Sequence, residues 1–389
     1  MSAPEHDSSG PLITPEAALL RIPAGLFGDD VTAVDLEVDW VLDGQGTSFA
    51  LGGSDWLLRV QRPLAHRFEY KVIVRRPGGD EYRTDPTHPR TVPGPFGDKS
   101  EIAFGDYAAP AWLGTPPLDR EVVLPAATAI RSSNNNRSAG HSASDDRDTD
   151  RDTDEVVPVR LITPADLADD VDAPLLLVHD GSDMLERGSL ARWAAAQPQP
   201  LRLALLDPAL GRRNDWYAAN DDYADHLASV VIPMLREQVA VSTVIGLGAS
   251  LGALSMVHLH RRHPHAVDAL ALQSGSFFTA ELDPQEEHWP LFRRVCTAVA
   301  AIMAALPVQV RPIPVLMTVG AIEENRSNNE KMAGALAFQG YPVDPRIVPD
   351  AHTMIGWRDA WSPGLDQLLA GASPVTAPAR DPNGREESL

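Results

Sequence analysis

Thr243-Val244-Ile245-Gly246-Leu247-Gly248-Ala249-Ser250-Leu251-Gly252 is the stretch on which the reading of this chain turns. An apolar run suited to a buried strand ends in Gly-x-Ser-x-Gly, and a helical pattern follows from Leu251 to His263, stopped by Pro264. A sharp strand-to-helix turn needs small residues beside the serine, and it presents the first helical amide and the helix dipole to a developing oxyanion. The pentapeptide pattern alone is weak, but strand, turn and helix in that order predict a nucleophile elbow with Ser250 at its tip.

A serine hydroxyl is a poor nucleophile until an oriented base takes its proton, and after such an elbow the chain order is serine, acid, histidine. The search therefore runs downstream. His258, His260, His263 and His265 lie on or just past the helix after Ser250, too close in sequence to return to the strand ends. Residues two apart on a helix also face different ways, so this cluster predicts no metal site. His352 sits in the loop Pro349-Asp350-Ala351-His352-Thr353-Met354, between a strand and a helix beginning near Trp357, and is the expected base. Glu323 and Glu324 follow the strand before that one, with Glu323 favoured as the acid and Asp350 a third candidate. Read otherwise, the Glu pair is the acidic first turn of a helix running to about Gln339. The oxyanion hole is expected from the Leu251 amide and one from the loop His179-Asp180-Gly181-Ser182-Asp183, with Gly181 and Ser182 as candidates.

The rest of the chain supplies the frame. Strand candidates Val157 to Ile162, Leu175 to Val178, Leu201 to Leu206, Thr243 to Leu247, Ala269 to Gln273, Ile313 to Val319 and Val343 to Val348 alternate with helical segments. That alternation predicts an α/β fold with a mainly parallel sheet covered on both faces. From about Val31 to Phe104, period-two runs such as Val34 to Trp40 and Phe68 to Val74 are broken by turns at Asp43-Gly44 and Pro77 to Asp80, which predicts a small β-sandwich. Residues 131–154 hold no large apolar side chain and read as a flexible linker or disordered loop. The expected organisation is a sandwich at 1–115, a low-complexity linker at 116–155, a catalytic domain at 156–371 and a loose tail at 372–389.

The chain has 389 residues, with 33 Lys and Arg against 54 Asp and Glu for a net charge of −21, which disfavours nucleic acid and anionic lipid as partners. A single cysteine, Cys296, and an amino terminus without a secretory pattern predict a cytoplasmic protein, and no apolar run reaches membrane-spanning length.

These motifs together resemble the enterochelin (ferric enterobactin) esterases, within the esterase D group of α/β hydrolases. The resemblance rests on Gly248 to Gly252, Arg262-His263-Pro264, Gln273-Ser274-Gly275-Ser276-Phe277-Phe278, Gly320 to Glu323, and His352 followed by Trp357-Arg358. Phe68 to Val72, Thr84-Asp85-Pro86-Thr87-His88-Pro89 and Phe96-Gly97-Asp98-Lys99-Ser100 are similar to the E-set, immunoglobulin-like domain of that family and of glycogen-acting enzymes. The resemblance implies an α/β hydrolase with an N-terminal immunoglobulin-like sandwich and no cofactor. It implies Ser250, His352 and Glu323 as the triad of an esterase that opens a catecholate siderophore to release iron. The substrate is then a small-molecule ester, a ferric siderophore, with Arg212 and Arg213 near its pocket. Feruloyl, acetyl or other carboxylester hydrolysis is the alternative, and a binding protein on a hydrolase scaffold is the alternative of another class. With a net charge of −21, an anionic ferric catecholate needs a local cationic cluster, for which Arg212, Arg213 and Arg358 are the candidates.

Overall fold

The computed structural model describes residues 10–40, 42, 44–94, 97–125, 130 and 156–372. The expected flexible stretch at 131–154 and nearly all of the expected tail lie outside them.

The amino-terminal part consists of two antiparallel sheets. One has the spatial order Leu12–Ile13, Ala17–Pro23, Asp55–Gln61, Ala50–Gly52; the other has Ala33–Glu37, Arg67–Arg75, Lys99–Ala103, Thr91–Val92, with Glu81–Arg83 paired to Arg67–Arg75. Alternation decides which side chains turn inward: Ala18, Leu20 and Ile22 of the first sheet meet Val34, Leu36, Phe68, Tyr70, Val72 and Val74 of the second in one buried core. Strands begin at Leu12, earlier than the Val31 expected from sequence. Ala17-Ala18-Leu19-Leu20-Arg21-Ile22-Pro23 hides its period because both faces carry apolar residues and it closes on proline.

The remainder forms one eight-stranded sheet. Its strands are β1 (Arg120–Val122), β2 (Val159–Thr163), β3 (Ala173–His179), β4 (Arg202–Leu206), β5 (Val241–Ala249), β6 (Ala269–Gln273), β7 (Val315–Gly320) and β8 (Val343–Val348), in the spatial order β1-β2-β4-β3-β5-β6-β7-β8. The pairs β1·β2 and β2·β4 are antiparallel and the others parallel. All seven sequence-derived strands are present. The addition is β1, inside the stretch expected to be linker, where three residues are too few to show a period yet register Arg120 to Val122 against Thr163 to Leu161.

Successive residues of β3 explain the apolar runs: Leu175 and Leu177 enter one core, Leu176 and Val178 the other, so both sheet faces are covered. The helix Leu251–Arg262 packs in the first core and Trp193 and Trp361 in the second. From β3 the chain goes to one side for β4 and to the other for β5. The cleft outside the carboxyl ends of these strands is where such sheets bind ligands. Among the described residues no helix is long and apolar enough to cross a membrane.

The two parts touch at the β8–helix loop. The His66 amide donates to the Pro349 carbonyl at 2.8 Å, and the Tyr107 hydroxyl donates to Asp359 at 2.9 Å.

Candidate active site

Ser250 follows β5 at φ 56°, ψ −124°, a left-sided conformation that a side chain adopts only under constraint. The flanking glycines make it possible. A Cβ on Gly248 would stand 2.3 Å from the Gly252 carbonyl oxygen, and one on Gly252 would stand 3.2 Å from His179 Cβ. The Ser250 amide donates to the Gln273 carbonyl and its own carbonyl accepts from the Ser276 amide, so β6 and its loop hold the turn.

Glu323 lies beyond β7 with its side chain fully buried. Its Oε1 accepts the Gly320 amide at 2.8 Å and the Ser274 hydroxyl at 2.6 Å, and its Oε2 lies 3.2 Å from His352 Nδ1. Trp357 Nε1 donates to the Ser274 hydroxyl, and the Trp357 ring stands edge-on to His352 with centroids 5.0 Å apart. Glu323 is thus fixed by three donors or near-donors and is the carboxylate that meets the histidine. Glu324 faces the cavity instead, and the helix starts only at Arg326, so the Glu pair is not its first turn.

Asp350 is engaged elsewhere. It accepts from Arg67 Nη1 at 2.9 Å, from the Ala351 amide at 2.7 Å and from the Thr353 hydroxyl, while Thr353 caps the helix Met354–Asp359 through the Gly356 amide. Burial pushes the Asp350 carboxyl up, and Arg67 pulls it back. Arg67 itself is fully buried and also bonds Glu69 and Glu101. The loop bearing His352 is therefore clamped by a cation from the amino-terminal sheet.

Ser250 and His352 line a common cavity of about 790 Å³, whose wall also includes Lys99 and Glu69 from the amino-terminal sheets and Trp40 from the segment after the strand Ala33–Glu37. Ser250 Oγ lies 3.1 Å from Ser276 Oγ, a neighbour that the sequence did not single out although Gln273 to Phe278 contained it.

No family model and no curated protein sequence matches the chain. Solved structures do. The ferric enterobactin esterase of Salmonella typhimurium superposes with TM-score 0.67 at 16% identity over 94% of this chain and 97% of its own. The enterobactin esterase of Shigella flexneri, in the presence of enterobactin, gives 0.66 at 17% identity over 93% and 95%, and an enterochelin esterase structure from Shigella flexneri gives 0.67 at 16% over 93% and 96%. The chain has the fold of the enterobactin esterases. The family resemblance carried by the motifs is thus matched by the architecture of nearly the whole chain.

Within this enterobactin-esterase fold the other expected site residues separate. Leu251 N-H opens the helix beyond Ser250. Ser182 is turned away: its amide donates to Asp207 Oδ1 at 2.9 Å and its hydroxyl to Oδ2 at 2.6 Å, which leaves Gly181 of the two oxyanion candidates. Gly181 packs so closely that a Cβ would meet Leu205 Cβ at 2.5 Å. Asp180, at φ 52°, is held by a bidentate pair with Arg213 at 2.7 and 2.6 Å. Of the three arginines, only Arg213 lines the cavity. Arg212 pairs with Asp215 at 2.8 Å, and Arg358 with Asp359 and the Tyr107 hydroxyl, because each has a carboxylate within a few residues. His258 and His260 point apart, to Asp221 and to the Arg311 carbonyl.

Proposed function

We propose that the protein is a serine carboxylic ester hydrolase. The observation that carries this reading is the pairing of His352 Nδ1 with buried Glu323, 3.2 Å apart, on the wall of the cavity that Ser250 enters from a constrained elbow. With Nδ1 turned to the carboxylate, Nε2 is the nitrogen that exchanges protons, and Glu323 favours the imidazolium as it forms. In the proposed reaction His352 takes the Ser250 proton as Oγ adds to the ester carbonyl, and the oxyanion meets the Leu251 amide with Gly181 as the second donor. Collapse expels the alkoxide, which leaves as the alcohol with the proton from His352. Water, deprotonated by His352, then cleaves the acyl-serine to free acid and serine.

The fold match over 94% of the chain to proteins described as ferric enterobactin esterases favours a second, narrower reading. The substrate is then a catecholate siderophore whose ester bonds are opened to release iron in the cytoplasm, and the amino-terminal sheets are an E-set, immunoglobulin-like module walling the site. Product profiles from ferric enterobactin, linear catecholate trimers and feruloyl esters separate this reading from other ester hydrolysis. For the broader reading, Ser250→Ala and His352→Ala must each abolish aryl-ester turnover with the fold intact, and a fluorophosphonate must label Ser250. Wild-type turnover by either variant refutes it.

A further inference from the structure

The charges around the cavity select among esters. Among the described residues its wall carries five carboxylates, Asp39, Glu69, Asp180, Asp183 and Glu324, against two cations, Lys99 and Arg213. Neither cation is uncommitted. Lys99 is paired with Asp39, and Arg213 is locked in a bidentate pair with Asp180 and lies over the Tyr217 ring. With the ion-pair partners behind the wall included, Arg67, Arg90 and Arg187 on one side and Glu101 and Asp350 on the other, the described cluster holds five cations to seven carboxylates. The remaining arginines that the sequence offered lie outside the wall, Arg212 sharing Asp215 with Arg294 and Arg358 paired with Asp359. Between the charged groups stand the aromatic side chains of Trp40, Phe278 and Trp357.

A guanidinium that already holds a carboxylate in a two-pronged pair has its charge offset by that partner, so a second anion gains only the outer N–H donors. Pulling Arg213 away from the pair would free Asp180, whose left-handed backbone shapes the loop beside the elbow. The whole-chain charge of −21 acts in the same direction, since a field of one sign focused into a cleft repels like-charged ligands. Aromatic faces with a carboxylate rim suit an apolar or cationic body.

We propose that the ester cleaved at Ser250 is uncharged or cationic in the part that fills the cavity, and that anionic esters, a ferric catecholate among them, are poor substrates. This rests on the broader ester-hydrolase reading and stands against the siderophore one. The test compares 4-nitrophenyl pentanoate, 4-nitrophenyl hemiglutarate and the 4-nitrophenyl ester of 4-(trimethylammonio)butanoate on the full-length protein, with Ser250→Ala as background. The expected result is a kcat/KM for the neutral and cationic esters at least about tenfold above that for the hemiglutarate. The hemiglutarate value should rise with salt as screening relieves the repulsion, and the cationic value should fall. Glu324→Lys should raise the hemiglutarate-to-pentanoate ratio by about fivefold or more. A hemiglutarate preferred over pentanoate, or a ferric catecholate trilactone opened faster than its metal-free form, overturns the proposal and leaves ester hydrolysis standing. No ester cleaved above the Ser250→Ala background overturns the hydrolase reading and this proposal together.

Discussion

Replacing Arg67 by methionine tests whether the amino-terminal sheet holds the catalytic loop. Arg67 has no exposed surface and bonds Glu69, Glu101, Asp350 and Thr353, the last two flanking His352. Methionine fills similar volume, so the loss is mainly of charge, and breaking a buried ion pair from one side costs about 3–5 kcal/mol. The remaining partners soften the effect unevenly: Glu101 keeps Arg90, and Asp350 keeps the Ala351 amide and the Thr353 hydroxyl. We therefore expect Arg67→Met to lower unfolding free energy by about 3–5 kcal/mol, a large part of the ~5–15 kcal/mol typical of a domain. We also expect kcat to fall by about a hundredfold, since a shift of about 1 Å in a catalytic group costs that much. Asp350→Asn in the Arg67→Met background should recover about 1–2 kcal/mol by removing the stranded charge. Urea unfolding followed by tryptophan fluorescence, and kcat on a neutral aryl ester normalised to fluorophosphonate-labelled sites, measure both effects. Arg67→Met within about 1 kcal/mol and twofold of wild type, or strict additivity with Asp350→Asn, would refute the reasoning.

Other expectations follow from the site and the core. Glu323→Gln should lower kcat by about ten-thousandfold, less than the roughly millionfold loss for Ser250→Ala, because the orienting acid is the more dispensable member; a larger loss at Glu324→Gln would move the acid there. Gly248→Ala should destroy activity and cost about 1–3 kcal/mol, since its Cβ would strike the Gly252 carbonyl oxygen at 2.3 Å, whereas Gly252→Ala, at 3.2 Å from His179 Cβ, should be milder; the reverse order in kcat and melting temperature would count against the elbow geometry. His179 and His260 are each pushed down by burial to about 4, so the unfolded chain binds more protons than the folded one between that value and 6.5. Their contribution is complete above pH 6.5 and lost as pH falls toward 4, a few kcal/mol each by the usual ~1.4 kcal/mol per unit, and a urea midpoint constant from pH 6.5 to 4.5 would contradict it.

The parts legible in the sequence are those with a local physical signature. The central strands of the large sheet announce themselves because both faces are buried, so residues such as Leu175 to Val178 are all apolar, whereas the edge strand Val343–Val348 has no buried residue and carries Asp344 and Arg346. Ser250, Glu323 and His352 could be picked out as site candidates because each follows a strand, and strand ends in a parallel sheet converge on one cleft. What escaped depends on partners far away in sequence. Arg67 and Glu69 stand on the face of their strand opposite Phe68 and Tyr70, and that charged pair was the available signal, but Asp350 lies 283 residues on. Arg212 and Arg358 looked like ligands for an anion because sequence shows a charge and not its neutralisation by Asp215 and Asp359. Ser182 looked like an oxyanion donor until Asp207, beyond the next strand, took its amide.

The location of the amino-terminal sheets gives them two jobs that cannot be separated. Trp40, Glu69 and Lys99 wall the cavity, while Arg67, on the same strand as Glu69, reaches behind it to the loop of His352. Glu69 joins the two, since its carboxylate lines the cavity and accepts from Arg67. A ligand that disturbs Glu69 therefore acts on Arg67, and through Asp350 and Thr353 on the loop of His352, the proposed base. The buried carboxylates around Arg67 would be a costly way to build a mere wall, because apolar residues of the same volume commonly give equal or greater stability. Their presence at the seam is better explained by the need to fix one geometry of the histidine loop against a module that also walls the cavity.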